Sequence, residues 1–190
     1  MIGAALVHDE TAGVSVLGAR DGAVMRWILE RFEPHHASLV SAIKVGLGAA
    51  VAIGVLELLS LAADMQLLIA PLGATAVLVF GVPASPLAQP INVIGGYALA
   101  LVATTALLAI GFPPIAVAAI GLGITLTAML MLRVTHPPAG AIPLLAAVAP
   151  MNVPHVVLCV AVGALILVVV AAIFHRIPPR QIYPRRGTPA

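Results

Sequence analysis

The sequence predicts an all-α fold, a polytopic membrane helix bundle, and three observations carry that reading. The first is composition. Of the 190 residues, 62% are hydrophobic and 8% are charged, where a soluble domain carries about 25% charged residues. Mean hydropathy is +1.15. A small soluble domain leaves much of its chain at the surface, and nine basic plus seven acidic side chains do not cover it. Disorder is excluded as well, because it requires low hydrophobicity. The second is the charge map. No charged side chain occurs in the 68 residues between Asp64 and Arg133, nor in the 42 between Arg133 and Arg176. Charge at the bilayer centre is costly, so such gaps mark membrane. The third is punctuation: proline, glycine and polar residues cut the apolar sequence into six segments.

Those segments are Leu39–Ala63, Leu67–Val82, Ile91–Ile110, Ile115–Leu132, Pro137–Ala149 and Val156–Phe174. Four approach the roughly 20 residues a spanning helix needs. The second carries Pro71 and Gly73, and the fifth carries Pro137, Pro138, Gly140 and Pro143. A helix of about 13 residues covers about 20 Å, short of a hydrocarbon core of about 30 Å. Orientation follows from the basic residues. With all six segments crossing and both termini cytoplasmic, all nine Lys and Arg residues fall on the cytoplasmic side, as the positive-inside rule requires. Four crossings would leave Arg133 outside. This assigns 1–37 to a cytoplasmic or interfacial segment, 38–176 to the transmembrane domain and 177–190 to a basic cytoplasmic tail, in the inner (plasma) membrane. Asp21–Phe32 is expected to form an interfacial helix with Trp27 as anchor. No secretory signal pattern is recognisable before it.

The chain also resembles itself. Pro71-Leu72-Gly73-Ala74 matches Pro138-Ala139-Gly140-Ala141, and Pro90-Ile91-Asn92-Val93 matches Pro150-Met151-Asn152-Val153, in the same order. The expectation is two three-segment repeats with a short, Pro/Gly-broken helix in each. An odd number of crossings per half makes the repeats inverted, an arrangement that places binding sites near the midplane in transporters.

The short segments carry the polar chemistry. Proline suits a first helical turn, and it pushes the residue before it away from the α region. His136-Pro137-Pro138 therefore reads as an extended stretch feeding a helix start at Pro138. Ala139, Gly140 and Ala141 leave the first N–H groups uncovered, where the helix dipole adds partial positive charge. Such a start accepts a small anion without a formal charge. Pro71, Gly73 and Thr75 offer the same device in the other half. The candidate binding residues are thus His136, Pro137, Pro138, Ala139, Gly140, Pro71, Gly73 and Thr75, with Thr135, Gln89 and Asn92 as polar lining and Tyr97 beside them. His136 is also a candidate proton carrier, since imidazole titrates near neutral pH. Blander readings stand next to these. Gly73 and Gly140 also suit close helix packing, Asn92 and Asn152 also suit helix capping, and His136 also suits a hydrated edge beside Arg133.

Ser85-Pro86-Leu87-Ala88-Gln89-Pro90, Asn92-Val93-Ile94-Gly95-Gly96 and Thr135-His136-Pro137-Pro138-Ala139-Gly140-Ala141, together with Pro71-Leu72-Gly73-Ala74-Thr75-Ala76, resemble the HPP family of integral membrane proteins over roughly residues 39–175. That resemblance implies membrane transport, with nitrite as the substrate first expected, because cyanobacterial and plastid members are implicated in nitrite transport. It also implies four spans, where the segment count gives six.

The function expected is therefore transport of a small inorganic anion. A channel for a neutral solute or another small anion, and a non-transporting structural or regulatory membrane protein, remain alternatives. No enzyme is expected, for the segments hold no paired carboxylates, metal pattern or Ser/His pair. Nor is a cofactor, a metal or nucleic acid: net charge is only +2 and Cys159 is the single cysteine. The partners expected are the bilayer, the anion and further copies of the chain.

Overall fold

Among the described residues, proline stands in the first turn of every α-helix after the first, because its missing N–H costs nothing there. The computed structural model describes residues 38–185. The N-terminal segment, with the interfacial helix expected at Asp21–Phe32, lies outside the described residues, as does the end of the tail from Arg186. The elements are α1 (Leu39–Ala63), α2 (Ala70–Ala76) widening into a π-helical turn (Val77–Gly81), a 3-10 turn (Pro86–Ala88), α3 (Pro90–Ala109), α4 (Pro114–Met131), a second 3-10 turn (Pro137–Ala141) running into α5 (Ile142–Val148), and α6 (Val153–Phe174).

Three helices stop in the same way. Asp64, Gly111 and Arg133 take left-handed backbone after α1, α3 and α4. The next residue then reaches back over the last turn: Met65 N to Ser60 O at 3.0 Å, Phe112 N to Leu107 O at 3.1 Å and Val134 N to Met129 O at 3.0 Å. These bonds satisfy carbonyls that the helix leaves free. Glycine adopts that conformation freely, whereas Arg133 holds it at a cost of about 1 kcal/mol.

Hydrogen bonds fix which helix ends lie together. Lys44 Nζ, near the start of α1, donates to Ile177 O and Pro179 O beyond the end of α6, both at 2.6 Å. His175 Nε2, just after α6, donates to Val79 O in the π-turn at 2.8 Å, so α2 finishes at this end. Tyr183 Oη donates to Ala88 O at 3.0 Å and Asn92 Nδ2 donates to Thr135 O at 3.1 Å. The start of α3 and the α4–α5 linker therefore lie here too, and with them every Lys and Arg of the described residues. At the opposite end Cys159 Sγ donates to Gln66 O at 3.2 Å, and Leu107 of α3, Val117 of α4 and Ala146 of α5 pack together.

The described residues thus run along the bundle six times. Four passes are helices long and apolar enough to cross a membrane, and the other two, Ala70–Gly81 and Pro137–Val148, are shorter. Each short pass is a seven-residue α-helix plus a five-residue turn of different pitch, with the order reversed between them. Twelve residues rise about 18 Å, so extended chain at 66–69 and 149–152 supplies the remaining length.

Packing explains why the order of passes does not make the halves alike. Phe80 of the π-turn and Phe174 of α6 meet edge to face at 6.0 Å, and Leu72 of α2 fills the notch at Gly163 of α6. In the other half α5 lies along both α3 and α4. The partner positions of α1 and α4 differ, for α1 is the least buried of the four long helices. Outside, Leu61, Ile115, Met131 and Val148 are exposed. An apolar surface of that extent belongs in lipid.

A Cβ on Gly163 would stand 2.2 Å from Leu72 Cδ1, while one on Gly54 meets nothing within 4 Å. Gly163→Ala is therefore expected to lower stability by about 1–3 kcal/mol through overpacking. Gly54→Ala is expected to be neutral, and thermal unfolding of the two variants in detergent checks the contrast.

Candidate functional site

The two short passes meet through one imidazole. His136 ends the α4–α5 linker in extended backbone (φ −137°, ψ 96°), as a residue before proline should. That conformation turns its side chain into the bundle, where it is completely buried. Nδ1 faces Leu87 O at 2.8 Å. A carbonyl oxygen only accepts, so Nδ1 carries a proton. Nε2 faces Thr75 Oγ1 of α2 at 2.8 Å, and Thr75 Oγ1 also faces Tyr97 Oη of α3 at 2.7 Å. Thr75 is completely buried and Tyr97 nearly so. The Tyr97 ring meets the imidazole edge to face, 5.2 Å between centroids.

This set is satisfied in two protonation states. With a neutral ring, Tyr97 Oη donates to Thr75 Oγ1, which donates to Nε2. With a charged ring, Nε2 donates to Thr75 Oγ1, and the threonine proton turns to Pro71 O, 3.2 Å away on the preceding turn. The hydroxyl accepts from both neighbours through its two lone pairs. A buried polar group that loses its partner is expensive, and neither state creates one.

The other expected residues fall around this cluster or away from it. Pro71, Pro138 and Ala139 are buried beside it, and Pro137 is exposed. Helix α2 and the second 3-10 turn pack together, with Thr75 near the end of α2 against His136 at the start of the turn. The helix begins at Pro137, one residue before the expected start, and as a 3-10 turn. Two first-turn N–H groups are already taken: Leu72 N donates to Ile69 O and Ala139 N to His136 O, both at 3.0 Å. Gly73 faces open space, whereas an added Cβ at Gly140 would stand 3.1 Å from Leu122 Cδ1. Thr135 enters through its carbonyl, which holds Asn92. Gln89 is spent on its own loop: Nε2 donates to Pro83 O and Ser85 O, and Oε1 accepts from Arg185 N. The two matching asparagines do different work. Asn152 caps α6 by accepting from His155 N, and Asn92 ties α3 to the linker.

Four contributors escape a reading of sequence. Leu87 acts through its backbone carbonyl, so its side chain carries no signal. Tyr183 and His175 lie far along the chain and reach the site only by folding back. Gly96 supplies space, for a Cβ there would stand 2.7 Å from the Cβ of His136. The Gly95-Gly96 pair of the family-like motif was the visible sign of a close approach. Among the described residues no three His, Cys, Asp or Glu side chains group as a metal site.

Six passes, apolar outer surfaces and a polar cluster closed inside the bundle define a polytopic helical membrane protein. The family model for the HPP transmembrane region matches residues 34–184, and the chain belongs to the HPP family. A transmembrane protein of Dictyostelium discoideum is 35% identical over 136 residues, covering 66% of this chain and 47% of that protein. The chain thus spans about half the length of that relative. No solved structure matches it.

Gly96→Ala is expected to push His136 out of its seat and cost about 1–3 kcal/mol. Gly73→Ala, where an added Cβ meets nothing within 4 Å, should change stability by less than about 0.5 kcal/mol. Equilibrium unfolding of both variants in mixed micelles tests the pair.

Proposed function

We propose that this protein carries a small inorganic anion across the inner (plasma) membrane, with nitrite the first candidate and a proton moving with it through His136. The observation that carries the reading is the buried Thr75–His136–Tyr97 cluster at the meeting point of the two short passes. An ionisable side chain at membrane depth is expensive and marks substrate or proton paths. Its ability to gain and lose a proton without stranding a hydrogen bond suits a carrier that cycles. The identity of the anion rests on the resemblance to nitrite-transporting members of the family.

In this reading the two short-segment starts flank the cluster and offer the anion partial positive charge. Leu72 N and Ala139 N themselves make their bonds within the turn. The six passes act as two inverted three-segment repeats, supported by their alternating directions and by the reversed make-up of the short passes. The end that gathers Lys44, Arg133, Arg176, Arg180 and Arg185 faces the cytoplasm by the positive-inside rule, and all six passes cross. Self-association in the membrane draws support from Gly46, Gly54 and Gly123, which meet nothing within 4 Å and let another helix approach closely.

The test is nitrite influx into proteoliposomes, with and without an inward proton gradient, for wild type and His136→Gln. The gradient is expected to raise wild-type uptake severalfold, and the variant to lose the gradient response. Uptake equal to that of empty liposomes, from protein shown to be folded and inserted, would sink nitrite transport for this chain. Wild-type uptake that ignores pH and membrane potential would instead favour a channel for a neutral solute.

A further inference from the structure

His136 has two partners, and the chain beyond α6 touches the support of each. The first partner, Thr75, sits on α2, whose π-turn exposes Val79 O to His175 Nε2 at 2.8 Å. A π-turn breaks the usual ladder of the helix and leaves a carbonyl free for such a bond. The second partner, Leu87 O, sits in the 3-10 turn Pro86–Ala88. The next carbonyl of that turn, Ala88 O, accepts from Tyr183 Oη at 3.0 Å. One residue on, Gln89 Oε1 accepts from Arg185 N at 2.8 Å.

The segment making these bonds is folded back and fixed. Gln181 N donates to His175 O at 3.0 Å, Lys44 Nζ holds Ile177 O and Pro179 O, and the Tyr183 ring packs on the His175 ring at 5.4 Å. Tyr183 is 6% exposed although the residues on either side of it are open to solvent. Burial pushes its phenol well above the ordinary tyrosine range, so the hydroxyl keeps the proton it donates. A tail that only solubilised the end of a span would need none of this.

We infer that residues 175–185 form a strap that positions His136, with Tyr183 as its anchoring residue acting through the Pro86–Ala88 turn. The strap holds the turn, the turn holds Nδ1, and the imidazole is thereby aimed at Thr75. Its importance for transport rests on the proposed role of His136, but its existence does not. Tyr183 is a positioning residue, since it touches the turn and not the imidazole.

The test uses the full chain in lipid nanodiscs with 15N-labelled histidine, the His136 signals being identified by their loss in His136→Gln. Tyr183→Phe keeps the ring and removes the bond to Ala88 O. It is expected to shift the His136 imidazole 15N resonances and to speed backbone hydrogen exchange across 87–93 about fivefold, as loss of one hydrogen bond should. Ile182→Ala, at an exposed neighbour, is expected to leave both readouts as in wild type. Folded Tyr183→Phe with wild-type His136 resonances and wild-type exchange would overturn the inference, and so would Ile182→Ala moving His136 equally. Nitrite influx is measured on the same variants reconstituted in proteoliposomes. Shifted His136 resonances in a protein that moves no nitrite would remove the transport reading and leave the strap standing.

Discussion

The hydrogen bond between His136 Nε2 and Thr75 Oγ1, 2.8 Å long and sealed from solvent, is the constraint around which this bundle is arranged. It ties the linker that starts one short pass to the middle of the other. Both groups come from elements too short to cross a bilayer alone, and each needs a neighbour to fix its depth. A polar bond in an apolar interior has few competitors, and leaving either partner unpaired there is costly. Tyr97, Leu87 O, the space at Gly96 and the Asn92–Thr135 tie all serve the position of this one ring.

Short passes bring irregular backbone into the membrane, and lipid does not satisfy exposed N–H and C=O groups. Such chain survives only where protein covers it. Here the extended chain after α1 presents Gln66 O to Cys159, and the π-turn presents Val79 O to His175. The loop after the π-turn is stitched by Gln89 to Pro83 O and Ser85 O. Long helix α6 therefore works as a mast along which the first short pass is fastened at both ends. The second short pass is held instead by the faces of α3 and α4. That difference in support explains why two halves with similar short motifs pack so differently.

Much of this was legible in the residues. Charge gaps and Pro/Gly punctuation located the six passes to within about three residues, because both signals are local: a charge is excluded from lipid wherever it stands, and proline opens a helix wherever it falls. His136 and Thr75 were also legible, as polar residues in the broken segments. What stayed hidden depends on distant contacts. Gln89 looks like a pore-lining amide, but its own loop consumes one end of its side chain and Arg185 N of the tail the other. Gly73 looks like a close approach and meets open space, while Gly96, the second residue of the Gly95-Gly96 pair, provides the seat. The tail reads as a basic, solvated end because its charges dominate its composition, and Tyr183 inside it gives no sign of its partner 95 residues earlier.

Thr75 and His136 act as a coupled pair joining the two short passes. A double-mutant cycle on unfolding in mixed micelles, built from Thr75→Val, His136→Leu and the double variant, measures that coupling most directly. A coupling energy of about 1–3 kcal/mol is expected, in the range found for buried side chains in direct contact. Additivity to within about 0.3 kcal/mol, the behaviour of independent sites, would contradict it.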